Sequence, residues 1–413
     1  MRVAVIGGGI GGLTAALSLH AAGIEVDLFE AVGELKPLGV GINLLPHAVR
    51  ELTELGLAEE LAAIGVAPRA LIYANKFGQE IWREARGLSA GYKWPQISLH
   101  RGRLQMLLYQ AALARLGPQK VHLGRRARHF ETGSDHARVD FERDSLAADV
   151  VIAADGIHSA ARAQLYPLEG PPKWNQRILW RGVSKAAPFL DGHSMVMAGH
   201  QAQKFVCYPI GATGSQAEIN WIAELSFPEG HLWRREDWNR AADLDDFLPA
   251  FESWRFPWLD VPAIIRAADR VFEYPMVDRD PVDRWTFGRL TLLGDAAHPM
   301  FPIGSNGASQ AILDARTLAF ELATQADIDS ALANYEASRR PATTRIVLAN
   351  RGNGPEQVMQ IAETRAPNGF ADIATVIDHN ELEDIARRYK LMAGFDMETL
   401  NSRPSLSVPL RGA

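Results

Sequence analysis

The opening third of the chain alternates between short apolar runs and segments in which apolar residues recur at helical spacing. The first apolar run, 2–6, leads into a glycine-rich turn and then into helical spacing over Leu13–Ala22. A second apolar run covers Ile24–Glu30, and helical spacing returns over Pro46–Leu61, with Gly65 expected to end that helix. Buried strands that alternate with helices predict an α/β domain built on a parallel sheet.

Two later regions change to short runs in which apolar and polar residues alternate. These regions are Ala70–Gly78 and Arg177–Leu225, and their clearest runs are Phe205–Ile210 and Glu218–Ala223. Alternation with a period of two is typical of antiparallel strands with one face on the core and the other in water, so we predict such a sheet here. The pattern leaves open which face of the 205–210 strand points inward.

The opening pattern returns near residue 289. The apolar run Arg289–Asp295 is followed by helical spacing over Gln310–Gln325, and the chain after Pro341 is largely helical with charged faces. The sheet is therefore predicted to be inserted into a discontinuous α/β domain. The predicted division is an α/β nucleotide-binding domain at 1–70, 98–170 and 275–345, a sheet domain at 71–97 and 171–274, and a helical region at 346–413. The last ten residues, from Pro404, are expected to fray.

Composition narrows the class of partner. The chain has 413 residues, 47% of them apolar, and a formal net charge of -6. Without a basic run, nucleic acid and anionic membranes are poor partners, and small molecules are better candidates. The single cysteine, Cys207, excludes an intrachain disulfide and a thiolate-rich metal site. Glycines interrupt any signal-peptide core near the start, and no apolar run has the roughly 18 residues of a membrane span. We expect a cytoplasmic monomer or homodimer.

The glycine-rich turn carries the first chemical signal. Glycines at positions 7, 9 and 12 suit a Rossmann-like turn, in which Gly7 allows the tight turn, Gly9 the close approach of backbone to a pyrophosphate, and Gly12 the helix packing. Free amides at the helix start then face the anion. Glu30, at the end of the second apolar run, is placed to accept hydrogen bonds from a ribose without a 2′-phosphate, as in FAD or NAD.

Two further motifs follow predicted strands. Asp155-Gly156 comes after an apolar run and precedes Arg162, and Gly294-Asp295 ends the 289–295 run. Taken alone, Asp155 suits an ordinary helix N-cap equally well. A nearby histidine, His298, has no second ligand at metal-binding spacing, so we predict a structural or cofactor-lining role for it and no metal site.

In this order along residues 1–345, the three motifs resemble those of the group A flavoprotein monooxygenases, the single-component aromatic hydroxylases built like 4-hydroxybenzoate hydroxylase. The resemblance implies tightly but non-covalently bound FAD, with NADH or NADPH as a transient reductant. It also implies a set of cofactor-binding residues, which are Gly7, Gly9, Gly12, Glu30, Lys36, Gly41, Arg101, Asp155, Arg162, Gly294, Asp295, Gly304, Asn306 and Gly307.

The resemblance gives these residues different parts of the cofactor. The glycines and Glu30 would hold the ADP half, with Lys36 near the pyrophosphate. Asp155 would help to hold FAD, while its neighbour Arg162 would serve the docking of NAD(P)H. Asp295 would bind the ribityl chain.

The same resemblance describes the surroundings of the flavin ring. Arg101 would contact FAD, and Gly41 belongs to a loop beside the isoalloxazine. The helix that begins near Gly307 would point its positive end at the pyrimidine edge and favour the anionic reduced flavin. The small residue Gly304 lets backbone lie close to the ring. The carbonyl of Pro302 would lie near the reacting oxygen, and we predict Pro302 as the catalytic position.

The implied activity is insertion of one atom of O2 into a planar aromatic or N-heteroaromatic acid through a flavin hydroperoxide. The stretches 38–43, 180–183, 274–281 and 304–314 resemble the branch of the family that hydroxylates phenazine carboxylates. Many members have Gly-Gln where this chain has Ser305-Asn306, and the phenazine branch shares the asparagine. Decarboxylation would accompany hydroxylation if oxygen entered at the carbon that bears the carboxylate.

The substrate is expected between the flavin and the inserted sheet. Tyr208 and Trp221 are candidates to stack on or bond to an aromatic ring, although aromatic residues in such strands more often serve packing. Hydroxylases of salicylate, hydroxybenzoate, hydroxynicotinate and urate remain alternatives, as do a flavin oxidase and a flavin-binding sensor without turnover.

Overall fold

The structure is a computed structural model that describes residues 1–231 and 241–408. The strands, in chain order, are β1 Arg2–Ile6, β2 Glu25–Phe29, β3 Gly41–Leu44, β4 Gly65–Val66, β5 Ala70–Ala74, β6 Glu80–Ala85, β7 Ile97–His100, β8 Val121–His122, β9 His129–Thr132, β10 Ala137–Asp140, β11 Ser145–Ala148, β12 Val150–Ala153, β13 Lys173–Ala186, β14 Ser194–His200, β15 Gln203–Thr213, β16 Gln216–Ser226, β17 Arg255–Phe256, β18 Leu259–Asp260, β19 Ala268–Asp278, β20 Thr286–Phe287 and β21 Leu290–Leu292. The helices are α1 Ile10–Ala21, α2 Pro46–Glu54, α3 Ala58–Ile64, α4 Arg101–Leu116, α5 Ala160–Leu165, α6 Leu248–Phe251, α7 Val261–Arg266, α8 Gly307–Thr324, α9 Ile328–Arg351, α10 Gln357–Arg365, α11 His379–Ala393 and α12 Met397–Ser402.

A largely parallel sheet forms the first layer. Its strand order in the described residues is β20-β21-β12-β1-β2-β8, and only the β20–β21 pair is antiparallel. β1 lies between β12 and β2, with Val3 opposite Val150 and Val26. Val3–Ile6 of β1 are apolar and buried, α1 packs against this strand, and α8 packs against α1. This arrangement confirms the predicted α/β class.

One predicted helix is wrong in its extent. The 46–61 segment forms two helices, α2 and α3, which are separated at Leu55–Leu57. Gly56 lies there with a φ of +71°, a left-handed conformation that ends α2 and turns the chain. Leu55 and Leu57 are buried on either side of it, so the apolar spacing continues through the break and conceals it.

A second sheet, of mixed but mainly antiparallel pairing, faces the first. Its strand order among the described residues is β19-β13-β16-β15-β14-β5-β6, and β14 pairs with β5 in parallel. Its strands come from 70–85 and 173–278, on either side of segments of the first layer. This distribution supports the proposed division into a discontinuous nucleotide-binding domain and an inserted sheet domain.

The prediction that this sheet has one face in water is wrong for its central strands. Phe205 and Cys207 pack into an aromatic core with Phe251. Val206 and Tyr208, on the opposite face, are also buried, beside residues of α10 such as Met359. α10 packs on the β14, β5 and β6 part of this second face, and a cavity lies against the β15 and β16 part, so alternation in the sequence marks two different environments inside the protein.

The helical region is attached at several points. α9 continues through Pro341 to Arg351, and α11 packs against it. The expectation of a frayed tail is wrong for residues up to 408, because Ser405 donates a hydrogen bond to Glu54 at 2.7 Å and Arg316 donates one to Ser407 at 2.9 Å. Residues 409–413 lie outside the described residues. Within the described ranges, no helix is both long and apolar enough to cross a membrane.

Candidate active site

A cavity of about 320 Å3 lies between the two sheets. One wall comes from turns that follow strands of the parallel sheet: Gly9 after β1, Gly156 after β12 and Asp295 after β21. The opposite wall comes from the second sheet. Carboxyl ends of neighbouring parallel strands meet at one edge, which explains why three motifs distant in the sequence lie around one cavity.

The glycine-rich turn allows a close packing that a side chain would prevent. Gly7 has a φ of +115°, and a Cβ there would lie 2.3 Å from the carbonyl oxygen of Ala154. A Cβ at Gly12 would lie 1.9 Å from the carbonyl oxygen of Gly7. At Gly9, by contrast, a Cβ would meet no atom within 4 Å, so the open side of this turn faces the cavity.

Glu30 and Lys36 lie outside the cavity lining. The Glu30 carboxylate accepts hydrogen bonds from the backbone amides of Gly8 at 2.6 Å and Val32 at 2.8 Å. These bonds fix the carboxylate beside the glycine turn. Lys36 is exposed and its ammonium lies 3.0 Å from the carboxylate of Glu34.

Asp155 lies between two cavity-lining residues, Ala154 and Gly156. Its Oδ2 accepts a hydrogen bond from the amide of Ala160 at 2.8 Å, while its Oδ1 is buried without a partner among the described residues. Burial raises the pKa of this carboxyl, and hydrogen bonds from Ser159 and the start of α5 oppose that shift. A buried carboxylate oxygen without a hydrogen-bond donor indicates that a bound molecule supplies the donor.

Arg162 is placed away from the cavity. It is 1% exposed, and every nitrogen of its guanidinium donates a hydrogen bond. The acceptors are Glu169 and backbone carbonyls that include those of Ala296 and Ala297. Arg162 therefore anchors the turn after β21, and it has no N–H left for a docked nucleotide.

Asp295 and Arg101 both line the cavity. Arg101 is the first residue of α4, and its amide donates to the carbonyl of Val40 at 2.9 Å. Asp295 is exposed to the cavity, and the protein packed around it raises the pKa of its carboxyl by desolvation, while the charges of His298 and Arg101 oppose that rise. The pair offers one anion and one cation to a polar ligand.

A buried ionic network supports this turn from behind. Asp314 of α8 lies 2.5 Å from Nε2 of His298 and accepts hydrogen bonds from Arg339 at 2.7 Å and from the amide of Gly294 at 3.1 Å. Burial alone would raise the pKa of Asp314, but the charges of His298 and Arg339 lower it. His298 is thus structural. Within the ranges that the structure describes, no cluster of three potential metal ligands occurs.

The start of α8 forms the end wall. Pro302, Asn306 and Gly307 all line the cavity, and a Cβ at Gly307 would meet nothing within 4 Å. The first amides of this 18-residue helix have no acceptor within the helix. Gly304 is placed differently, because its Cα faces Tyr389 and a Cβ there would lie 2.1 Å from the tyrosine oxygen.

These features fit the FAD that the sequence predicts. A side-chain-free turn, the unpaired Oδ1 of Asp155 and the free amides at Gly307 are the groups that a dinucleotide with an anionic centre requires. Gly41 closes the arrangement: its amide donates to Asn220 at 2.6 Å, and a Cβ there would lie 2.5 Å from that side chain. The backbone at the 39–42 loop, which is the segment from Gly39 to the start of β3, therefore lies directly against the second sheet.

The second-sheet wall is apolar over most of its length. The aliphatic residues that line it include Leu179, Val206, Ile222 and Met276. Tyr208 lies on the same face and is 3% exposed, and burial raises the pKa of its hydroxyl to about 12. The structure thus assigns the face of the 205–210 strand that the alternation left open.

Trp221 is not brought to this cavity. It is fully buried in the aromatic core on the other face of the sheet, and its indole N–H donates to the hydroxyl of Ser184 at 2.9 Å. Cross-strand pairing with Cys207 puts it on the face opposite Tyr208. The structure therefore separates the two predicted substrate residues.

Arg181 is a site residue that the sequence interpretation missed. It lines the cavity, donates from Nη2 to the carbonyl of Gly41 at 2.9 Å, and keeps a buried Nε without a partner among the described residues. A buried N–H without an acceptor, such as that of Arg181 Nε, indicates that a bound molecule supplies the acceptor. A signal was present, because Arg181 interrupts a strand whose neighbouring positions are apolar.

A second missed group lies at the far end of the same face. Lys204 and Glu224 face each other across β15 and β16, and Glu356 approaches from the helical region. The Lys204 ammonium lies 2.9 Å from Glu224 and 2.5 Å from Glu356. Polar residues on an inward face are a recognisable signal for the first two. Glu356 is 132 positions beyond Glu224 (356 minus 224) and gives no local signal.

The profile of the family described as "FAD binding domain" matches residues 1–350. Phenazine 1,6-dicarboxylic acid hydroxylase PhzS of Lysobacter antibioticus is 47% identical over 386 residues, which are 91% of this chain and 95% of that protein. Aurachin C monooxygenase/isomerase of Stigmatella aurantiaca is 32% identical over 343 residues, 82% and 85% of the two chains.

A solved structure of Klebsiella pneumoniae HpxO with FAD and uric acid is similar in fold, with a TM-score of 0.75, 24% identity, and coverage of 98% of this chain and 97% of that chain. The chain therefore belongs to the FAD binding domain family and is a flavin-dependent monooxygenase of the aromatic hydroxylase group.

Proposed function

We propose that the protein uses NAD(P)H and FAD to insert one atom of O2 into a planar N-heteroaromatic acid of the phenazine-carboxylate class. The observation that carries the proposal is the composition of the cavity. Its flavin-side wall offers backbone amides and Asp295, whereas its sheet-side wall is apolar over most of its length and contains Arg181, whose Nε has no partner among the described residues. A planar apolar ring with an acidic substituent matches that wall.

The residues that would hold FAD follow from their placement. The glycine turn and the amides near Gly307 would face the pyrophosphate and the electron-rich end of the ring, respectively. Asp295 and Asp155 would accept hydrogen bonds from the sugar-like part, with Arg101 balancing charge. When bound, the flavin supplies the activation of oxygen and the transfer of electrons from the nicotinamide. Arg162 is not proposed as a contact.

The chain's own contribution to the reaction is orientation and exclusion of water. Leu179, Val206 and Ile222 would cover the faces of the substrate ring. A dry wall strengthens the electrostatic effect of the α8 amides on negative charge in the site. Pro302, which is exposed to the cavity, would place its carbonyl beside the reacting centre.

Arg181 and Tyr208 would anchor the acid. The free Nε of Arg181 can donate a charge-assisted hydrogen bond to a carboxylate. Tyr208 would supply a neutral hydroxyl, because its raised pKa keeps the proton in place at physiological pH. Trp221 is left out of this arrangement.

The relatives support the choice of substrate class. The 47% identical protein is named as a hydroxylase of phenazine 1,6-dicarboxylic acid, and it aligns over nearly the whole chain. Salicylate, hydroxybenzoate, hydroxynicotinate and urate remain candidate substrates.

Decarboxylation and the route through a flavin hydroperoxide remain predictions. A cytoplasmic location, consistent with the single buried Cys207, is also part of the proposal.

The experiment is an isotope measurement. Purified protein with bound FAD is incubated with NADH, 18O2 and one aromatic acid at a time. The acids are phenazine carboxylates, salicylate, hydroxybenzoate, hydroxynicotinate and urate, and the masses of the products are measured by mass spectrometry. We expect a phenazine product that carries one 18O atom, with loss of CO2 if oxygen enters at the acid-bearing carbon. Hydrogen peroxide as the sole product would indicate an oxidase, and absence of NADH consumption would indicate a binding protein.

A further inference from the structure

The charged group at the far end of the cavity is unusual for its setting. Lys204, Glu224 and Glu356 are 6%, 1% and 6% exposed, yet all three line the cavity. The cavity-lining positions next to them on the same sheet face are apolar, as at Val206 and Ile222. Replacing a buried ion pair with well-packed apolar residues is often neutral or stabilising. Stability of the fold therefore does not explain why these three charges are buried, and a role in ligand binding would explain it.

The group lies at a defined distance from the flavin-side anchors. Lys204 and Tyr208 are four residues apart on β15, which is about 13 Å along a strand. Tyr208 is paired with Asn220, whose side chain contacts the 39–42 loop. The Tyr208 end of the cavity is therefore next to the flavin site, and the Lys204 end is distant from it.

The two carboxylates that hold Lys204 differ in how firmly they are fixed. Glu224 belongs to a central strand and also accepts a hydrogen bond from Arg177 at 3.1 Å. Glu356 belongs to a short turn after α9, beside Asn353, whose φ is +66°. Among the described residues the Glu356 carboxylate accepts a hydrogen bond from Lys204 alone, whereas Glu224 is held by both Arg177 and Lys204, so Glu356 has fewer contacts to lose.

We propose that Lys204 is a second acid-binding subsite of the substrate cavity, where a carboxylate on the end of the ring system distant from the flavin takes the place of Glu356. This inference rests on the proposed function and refines its substrate class to extended fused-ring N-heteroaromatic dicarboxylates.

Electrostatics favours an exchange over a simple addition. Burial alone would lower the pKa of the Lys204 ammonium, but the charges of Glu224 and Glu356 raise it, so Lys204 stays cationic. With Arg177, the four groups carry two positive and two negative charges. A substrate carboxylate that replaces Glu356 at Lys204 keeps this balance, whereas one added beside both glutamates would upset it.

A second cavity, open to solvent, lies near the displaced glutamate. It has a volume of about 520 Å3 at this end of the sheet and is lined by Arg177, His200 and Gln360 among others. Arg177 therefore borders this space while it also holds Glu224. A single-ring acid anchored at Tyr208, about 13 Å along β15 from Lys204, would not extend to Lys204, so it would leave Glu356 in place.

The test compares two ligands in three variants. Dissociation constants of phenazine-1,6-dicarboxylate and phenazine-1-carboxylate are measured on the oxidised FAD-bound protein by flavin absorbance titration. We expect Lys204→Met to weaken the diacid by about tenfold or more and the monoacid by less than about twofold. Glu356→Gln should tighten the diacid about threefold to tenfold, because the competing charge is removed, and leave the monoacid unchanged.

The matched control is Glu84→Gln. Glu84 is a buried carboxylate that pairs with Lys390 and also joins the second sheet to the helical region, but it lines neither the substrate cavity nor the second, open cavity. It should change neither dissociation constant. If Lys204→Met does not fold, Glu356→Gln decides alone.

Equal effects of Glu356→Gln on both acids, or no effect on either, would overturn the inference, as would a wild-type protein that binds the two acids equally well. The proposed function fails separately, through the absence of 18O in any product. A protein that hydroxylates only single-ring acids keeps the monooxygenase assignment and removes the Lys204 subsite.

Discussion

The two walls of the cavity are built by different rules. The flavin-side wall consists of turns directly after strands, in which a few consecutive residues such as Gly294-Asp295 make one contact surface. The sheet-side wall consists of every second residue on several strands, with Glu356 added from a distant helical region. The first kind of wall can be predicted from local motifs, whereas the second depends on which face of a strand the rest of the chain covers.

The walls also differ in their tolerance of change. On the flavin side, at Gly7 and Gly12, backbone atoms are packed so closely that a single methyl group has no space. On the sheet side, side chains meet a cavity that a substrate must enter and leave. We expect substitutions on the first wall to remove the cofactor or the fold, and those on the second to change ligand binding alone.

The largest expected effect is that of Gly12→Ala. Its Cβ would lie 1.9 Å from the backbone oxygen of Gly7, which cannot move without shifting β1. We expect loss of bound flavin and a loss of about 3 kcal/mol or more of unfolding free energy. The flavin-to-protein absorbance ratio and urea unfolding measure both. The control is Gly33→Ala, since a Cβ there meets nothing within 4 Å. Normal flavin content in Gly12→Ala would contradict the account.

Asp314→Asn should come next, at about 3–5 kcal/mol, because Arg339 then stays buried with its charge uncompensated. The pH dependence has a definite sign. The pKa of Asp314 is lower in the folded protein than its ordinary value of 3.8, so its stabilisation is present above that pH and is lost as pH falls below it. The unfolding free energy of the wild type should therefore fall more steeply than that of Asp314→Asn below about pH 4.

The exposed pair of Asp384 and Arg387 offers a comparison for that prediction. Its side chains are 44% and 61% exposed, so Asp384→Asn should cost little. Equal losses in the two variants would mean that the network behind Gly294 does not carry the stability assigned to it.

On the sheet-side wall, the largest effect is expected from Arg181→Met. Removal of the free donor should weaken binding of an aromatic acid about tenfold to a hundredfold, since one charge-assisted contact to a carboxylate is lost. Flavin content should stay normal. Titration of the acid into the oxidised protein gives the dissociation constant, and an unchanged value would remove Arg181 from the site.

The smallest effect is expected from Tyr208→Phe, which removes one neutral hydroxyl and should weaken acid binding about twofold to tenfold. Trp221→Phe is the matched change on the opposite face of the same sheet. It should lower stability through the lost bond to Ser184 and leave the dissociation constant unchanged. The reverse pattern would show that the cavity face has been assigned wrongly.

The sequence allowed prediction of the α/β class and the inserted sheet, because each depends on strand, turn and helix signals within a few residues. FAD as the cofactor followed from the resemblance of three ordered motifs to those of the group A flavoprotein monooxygenases. It did not show that Gly56 divides a helix, since apolar spacing runs through the break. The role predicted for Arg162, docking of NAD(P)H, does not agree with its position. No sequence pattern near Arg162 predicts that Glu169 and the carbonyls of Ala296 and Ala297 accept its hydrogen bonds.

The substrate wall was the least predictable part. Tyr208 and Trp221 look equivalent in an alternating pattern, and only the cover on each face of the sheet separates them. Glu356 meets Lys204 because α9 and the turn after it return to the second sheet, a tertiary contact that no local pattern encodes.

The most direct measurement is the rate at which NADH reduces the bound flavin in the absence of oxygen, followed by stopped-flow absorbance with and without aromatic acids. Because the substrate cavity and the flavin site share one space, the account predicts that a phenazine carboxylate accelerates reduction many-fold and that Arg181→Met removes the acceleration. Flavin reduction at the same rate with every acid and with none would contradict it.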